Sequence, residues 1–125
     1  MPTRRICLTL DLKDEPSAIQ EYERLHRPGA VPPQVIADLK RRGYRELSIW
    51  RTAARLFMIC EVDATASPAG PSAIGVSDPP TRAILEHWQA VTSALQKPLP
   101  GADPAPHWVE MRCVFDLKDH EACGL

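Results

Sequence analysis

Ile6-Cys7-Leu8-Thr9-Leu10-Asp11-Leu12 carries a large aliphatic residue at every second position, and a few residues on Ile19, Tyr22, Leu25 and His26 recur at helical spacing. The first pattern places Ile6, Leu8, Leu10 and Leu12 on one face of a strand. The second places an apolar stripe along one side of a helix. Asp14 just before Pro16 reads as the helix start, an N-cap side chain followed by a proline whose missing N–H costs nothing in the first turn. Pro28 and Gly29 end that helix, because proline inside a helix loses a hydrogen bond and clashes with the preceding turn.

Outward from this strand–helix unit the period keeps switching. Pro32-Pro33 starts a second helical segment, Gln34 to Arg42, with Val35, Ile36 and Leu39 as its stripe. Gly43 is its C′ residue, and Lys40, Arg41 and Arg42 favour the negative end of its dipole. Glu46 to Arg51 and Arg55 to Val62 read as strands joined through Thr52-Ala53-Ala54, a hairpin-length connection. Thr81 to Leu95 returns to helical spacing through Ile84, Leu85, Trp88, Val91 and Leu95, and Trp108 to Leu117 alternates as a last strand. Counting the broken helix once, the order is β-α-β-β-α-β, the split pattern of the ferredoxin-like α+β fold. It predicts a four-stranded antiparallel sheet with its helices on one face.

The 125 residues fit a single domain, 1–125, in which 64–80, rich in Pro, Gly, Ser and Ala, forms a long loop and 118–125 a terminal tail. Leu56, Met58, Cys60 and Val62 alternate with Phe57 and Ile59, so both faces of this strand are apolar. A bare apolar sheet face points to a partner, and a homodimer packed sheet to sheet is the expectation.

Apolar residues at 44% and charged residues at 25% match an ordinary globular chain. Fifteen Lys and Arg against sixteen Asp and Glu leave a net charge of -1, too little to hold a nucleic acid or an acidic membrane surface. No apolar run reaches the ~20 residues of a membrane span, and the start of the chain does not read as a signal peptide, which predicts a cytoplasmic protein. Cys7, Cys60, Cys113 and Cys123 have no metal-ligand spacing, so no metal is expected, and they read as small, reduced, buried hydrophobes.

Tyr22 and His26, four residues apart, are neighbours on the stripe that buries the first helix. A phenol and an imidazole there require partners or a pocket. The helix break beyond them opens space beside the imidazole, which titrates near pH ~6.5 and suits proton transfer at a sugar, enol or carbonyl. Trp88 on the core side of the last helix, and with less weight Trp50 and Trp108, can stack on a sugar ring. Glu61 and Glu110 interrupt apolar strands and are solvated outer residues unless they turn into the pocket. His87, His107 and His120 are weaker candidates. No phosphate loop, nucleophile elbow or zinc-protease motif is present. The residues by themselves leave three functions open: sugar chemistry, a monooxygenase-like dimeric-barrel enzyme acting on an aromatic substrate, and a non-enzymatic ligand-binding domain.

Glu21-Tyr22-Glu23-Arg24-Leu25-His26-Arg27-Pro28 resembles the Glu-Tyr-x-Arg-x-His-x-Pro signature of the L-rhamnose mutarotase family. The hairpin Ser48-Ile49-Trp50, Leu56-Phe57 and Glu61 is similar to the family's second and third strands, and Trp88 falls where it has a tandem tryptophan pair. The resemblance runs from Arg5 to Leu117. It implies a dimeric α/β barrel that interconverts α and β anomers of a 6-deoxy-L-hexose, L-rhamnose or L-fucose, without a cofactor. By the same resemblance His26 is the catalytic acid/base, Tyr22 a substrate hydrogen-bonding residue and Trp88 a ring-stacking wall. Leu47 and Gln89 replace the family's tyrosine and second tryptophan, so these two positions bear on sugar specificity. Trp50 and Glu110 complete the expected substrate contacts.

Overall fold

The computed structural model describes residues 2–64, 78–101 and 105–121. Its elements are β1 (Thr3–Leu12), α1 (Pro16–Leu25), α2 (Pro33–Arg41), β2 (Tyr44–Thr52), β3 (Arg55–Asp63), α3 (Pro79–Ser93), β4 (Gln96–Lys97), β5 (Val109–Glu110) and α4 (Lys118–Glu121). The long β1 pairs antiparallel with β3 along one edge, from Thr3 opposite Asp63 to Asp11 opposite Arg55, and β3 pairs with β2. β4 and β5 both pair with β1, at Asp11–Leu12 and at Leu8–Thr9. The fourth position of the sheet is thus filled by two short segments in succession. This is the expected α+β antiparallel arrangement, with a fifth strand that the hydrophobic period did not announce.

The register aligns Ile6, Leu8 and Leu10 with Cys60, Met58 and Leu56, so the alternating aliphatics of β1 and β3 form one continuous buried face. Leu12, Leu56 and Tyr22 of α1 form one core cluster, and Leu39 of α2 packs on another built from Ile6, Leu8, Tyr44, Met58, Cys60 and Val62. α3 packs against α2, closing a layer of helices over that face. On β2 a bulge between Tyr44 and Glu46 changes the parity, so that Tyr44 and then Leu47 and Ile49 all turn inward. The intervening Arg45 pairs outward with Asp63 at 2.7 Å.

Most element ends shift by one or two residues, α3 for example starting at Pro79 inside the expected loop, and three further differences have a physical reason. The N-cap of α1 is Glu15 with no side-chain cap bond, not Asp14, because Pro16 already sets the first helical φ without help from a capping oxygen. Thr52 pairs directly with Arg55, so the hairpin turn is the two residues Ala53-Ala54, with Ala53 in the left-handed region at φ 50. The last strand does not run from Trp108 to Leu117. After Val109–Glu110 only the Met111 N–H still bonds β1, at Cys7 O, and Val114 (91%) and Phe115 (66%) stand exposed. In a single chain their alternating apolar residues have no second layer to bury them.

Other features follow the sequence. Gly43 takes φ 98 after α2, where a Cβ would be strained, and its N–H satisfies Lys40 O. Asp78 caps α3 by accepting from the Thr81 N–H at 3.1 Å, and its carboxyl pKa is lowered by a hydrogen bond from the Thr81 side chain and then by this one. Residues 65–77 of the expected loop, the end of the tail and Cys123 lie outside the described residues. Cys7, Cys60 and Cys113 are free thiols; Cys60 is buried, whereas Cys113 is exposed, against expectation, because it lies beyond the paired part of β5.

Candidate active site

The helix layer and the inner sheet face do not close completely on one another. Between them lies a cavity of about 370 Å³ reached by α1, α2, α3, β2 and β3. Its size is at the small-ligand end of the ~300–1,000 Å³ typical of binding pockets. Tyr22, His26, Trp88, Gln89 and Leu47 all line it.

The end of α1 sets the imidazole. His26 is the C-cap residue, and its backbone N–H bonds Glu23 O at 3.2 Å, three residues back, because Pro28 and Gly29 stop the helix there. The His26 side chain takes the carbonyl of Tyr22 instead, with Nδ1 2.7 Å from it. A carbonyl oxygen only accepts, so Nδ1 carries the hydrogen and Nε2 is left to exchange a proton. The ring is also fixed by its neighbours. Tyr22 stacks on it at 4.3 Å between centroids, and Trp88 meets it edge-on at 5.1 Å.

Burial pushes the His26 pKa below the ordinary 6.5, opposed by the Tyr22 carbonyl. Burial drives the Tyr22 phenol up to about 12, with a side-chain hydrogen bond to Gln96 pulling the other way. Tyr22 is therefore a neutral donor and acceptor near pH 7, and His26 is the group that titrates.

The structure does not bring every expected residue together. Trp50 is not a cavity residue. It pairs with Phe57, which puts its ring on the opposite sheet face, 62% exposed, with Nε1–H donating to Ser48 Oγ at 2.8 Å. It borders a second, more open hollow, which Tyr22 and His26 also line, together with Glu23, Arg51 and Leu56. Glu110, on the short edge strand β5, is exposed and does not line the cavity. Glu61 is held on the outer face by Arg5 at 2.9 Å and Thr3 at 3.1 Å. His87, His107 and His120 are exposed. Trp108, given less weight from sequence, does line the cavity, and so do Asp38, Arg42 and Gln96, which sequence reasoning missed. Asp38 three residues after Val35 and one before Leu39 was the available signal, a carboxylate inside the apolar stripe of α2. Among the described residues no cluster of potential metal ligands occurs.

A half-barrel of antiparallel strands under helices thus holds one oriented imidazole among aromatic rings in a cavity of small-ligand size. Residues 5–117 match the family model of L-rhamnose mutarotase. An L-fucose mutarotase of Xanthomonas campestris pv. campestris is 39% identical over 119 residues, covering 95% of this chain and 92% of that protein. The crystal structure of an L-rhamnose mutarotase from Formosa agariphila superposes with a TM-score of 0.60 at 20% identity, over 90% of this chain and 97% of that one, and so shares the fold. The chain belongs to the L-rhamnose mutarotase family, and mutarotases are isomerases.

Proposed function

We propose that this single domain interconverts the α and β anomers of a 6-deoxy-L-hexose by cofactor-independent acid/base ring opening at His26. The observation that carries the reading is the imidazole whose Nδ1 is committed to the Tyr22 carbonyl while the ring lines a sugar-sized cavity. Mutarotation removes the proton of the anomeric hydroxyl and delivers one to the ring oxygen as the C–O bond breaks, then reverses both transfers after the aldehyde rotates. Nε2 and a water molecule suffice for this exchange, and no net proton is consumed. Tyr22 holds a sugar hydroxyl as a neutral phenol, Trp88 supplies a ring wall, and Leu47 and Gln89 shape the pocket. Leu39, Ile49 and Leu85 give the C6 methyl of a 6-deoxy sugar an apolar surface. The name of the 39% identical relative, an L-fucose mutarotase, supports L-fucose as the substrate, and the family model, named for L-rhamnose, makes that sugar the second candidate. Saturation transfer between the anomeric protons of each sugar tests the reading; exchange no faster than the buffer rate with both would refute it.

The pH dependence has a definite sign. With the His26 pKa held below 6.5, the base form is present at neutral pH, and kcat/KM falls on the acid side with a midpoint below 6.5. Stability is linked in the same direction. As pH drops through 6.5 the unfolded chain takes up a proton that the folded state refuses, so His26 makes the protein less stable until its folded pKa is passed. A pH–rate profile and denaturant titrations from pH 7.5 to about 5 measure both. An acid limb centred above 6.5 would contradict the assignment.

The same reading includes a homodimer formed through the outer sheet face. Trp50 and Ile59 on that face, with Val114, Phe115 and Leu117 beyond β5, are large hydrophobics left exposed in one chain. Sedimentation equilibrium should give twice the 13.9 kDa chain mass, and Ile59→Asp should halve it. A wild-type monomer would remove this part. Its free thiols suit a reducing compartment, the cytoplasm. Among the described residues no helix is long and apolar enough to cross a membrane.

A further inference from the structure

Asp38 occupies a place that helix energetics do not explain. On the amphipathic α2 it sits in the inward stripe beside Val35 and Leu39 and is only 6% exposed. Arg41 bonds Oδ1, and Arg42 Nε donates to Oδ2 at 3.1 Å. Ion pairs at three- and four-residue spacing stabilise helices modestly on solvated faces. On a buried face the desolvation of the carboxylate opposes that gain, and an aliphatic residue would serve the packing better.

The position makes sense through the cavity. Asp38 and Arg42 line the same space as His26, Tyr22 and Trp88. Arg42 is braced on its other side by the Tyr44 ring, 5.6 Å from its guanidinium carbon, and its side chain is 14% exposed. A carboxylate beside a guanidinium is complementary to neighbouring sugar hydroxyls. One hydroxyl donates to a carboxylate lone pair and the next accepts from a guanidinium N–H. With both oxygens bonded to guanidinium groups, this carboxylate reads hydroxyls while His26 moves protons.

We propose that Asp38, held by Arg42, binds the sugar hydroxyls remote from the anomeric carbon and sets which 6-deoxy-L-hexose is accepted. This rests on the mutarotase reading above. L-Fucose and L-rhamnose differ in hydroxyl stereochemistry, so a fixed carboxylate–guanidinium pair distinguishes them by which hydroxyls it can reach.

The test is Asp38→Asn, nearly the same shape without the charge, assayed by saturation transfer over a range of L-fucose and L-rhamnose concentrations. KM for the preferred sugar should rise about tenfold or more, the size expected for a lost charged hydrogen bond. kcat and the acid midpoint of the pH profile should change little, and the preference between the two sugars should shrink. A lower Tm with KM and preference unchanged would make Asp38 structural and overturn the proposal. Deoxy analogues of the preferred sugar, each lacking one remote hydroxyl, test the wild type even if the variant does not fold. At least one should lose about tenfold in kcat/KM, and equal rates for all would overturn the proposal. A folded wild type with no exchange on either sugar would sink the mutarotase reading and this assignment with it. Normal wild-type exchange with an unaltered variant sinks the assignment alone.

Discussion

Replacing His26 by alanine should lower enzyme-dependent anomeric exchange by roughly 10²–10⁴-fold, the usual worth of a positioned acid/base. The chain should still fold. His26 lies at the C-terminal end of α1, outside both main core clusters, and what it loses is its bond to Tyr22 O and its ring contacts with Tyr22 and Trp88. One part-buried hydrogen bond at a helix end is lost, so the stability cost should be about 1 kcal/mol. The two effects separate cleanly: a large loss of rate at a nearly unchanged Tm. His26→Gln places an amide where the imidazole was and restores shape without a titrating group, so it should be as inactive as alanine. Saturation-transfer NMR with circular dichroism on the same samples decides the matter. Full rate in a folded His26→Ala protein would show that the proton passes elsewhere.

Leu12→Ala should have the opposite profile, a large loss of stability. Leu12 is 0% exposed, at the end of β1 where the strand meets α1. It packs with Tyr22 and Leu56, with Ile19 and Ile49 around them. Its N–H bonds Ala54 O at 2.7 Å and it stands opposite Gln96 of β4, so the backbone there is pinned from both sides and cannot collapse into the void. Buried leucine truncations cost ~2–5 kcal/mol, and the rigid surroundings favour the upper half of that range. Against a total of ~5–15 kcal/mol this is a large fraction, equivalent to a Tm lower by roughly 10–20 °C. Tyr22 rests on the same cluster, so KM should also rise as its hydroxyl loses its fixed place. Thermal unfolding followed at 222 nm measures the shift; a drop of only about 2 °C would mean that the core relaxes around the cavity.

These variants bear on different layers of one design. The proline that stops α1 releases the Tyr22 carbonyl, the carbonyl fixes the imidazole tautomer, and the tautomer decides which nitrogen is left to exchange a proton. Pro28 is therefore part of how the site is oriented, although it does not line the cavity.

What the sequence by itself determined is the part governed by local periodicity. The alternation from Ile6 to Leu12 and from Leu56 to Val62 marked both strands and, in the first, the face that is buried, while the register between them came only with the structure. Helical spacing and the break at Pro28 put Tyr22, His26 and Trp88 on core-facing stripes, and the Glu-Tyr-x-Arg-x-His-x-Pro motif carried the family. What only the tertiary structure decided depends on contacts between distant segments. The bulge at Arg45 is set by pairing with β3, and it alone turns Tyr44 and Leu47 to the same side. The fourth sheet position belongs to two short strands because β1 is long enough to accept both, and neither Gln96 nor Lys97 carries a periodic signal. Trp88 and, with less weight, Trp50 both offer a stacking ring on paper, yet register sends Trp50 to the outer face and helix packing sends Trp88 into the cavity. Spacing puts Asp38 inside the apolar stripe of α2, but that stripe becomes a cavity wall only through packing between distant segments, α3 against α2 among them.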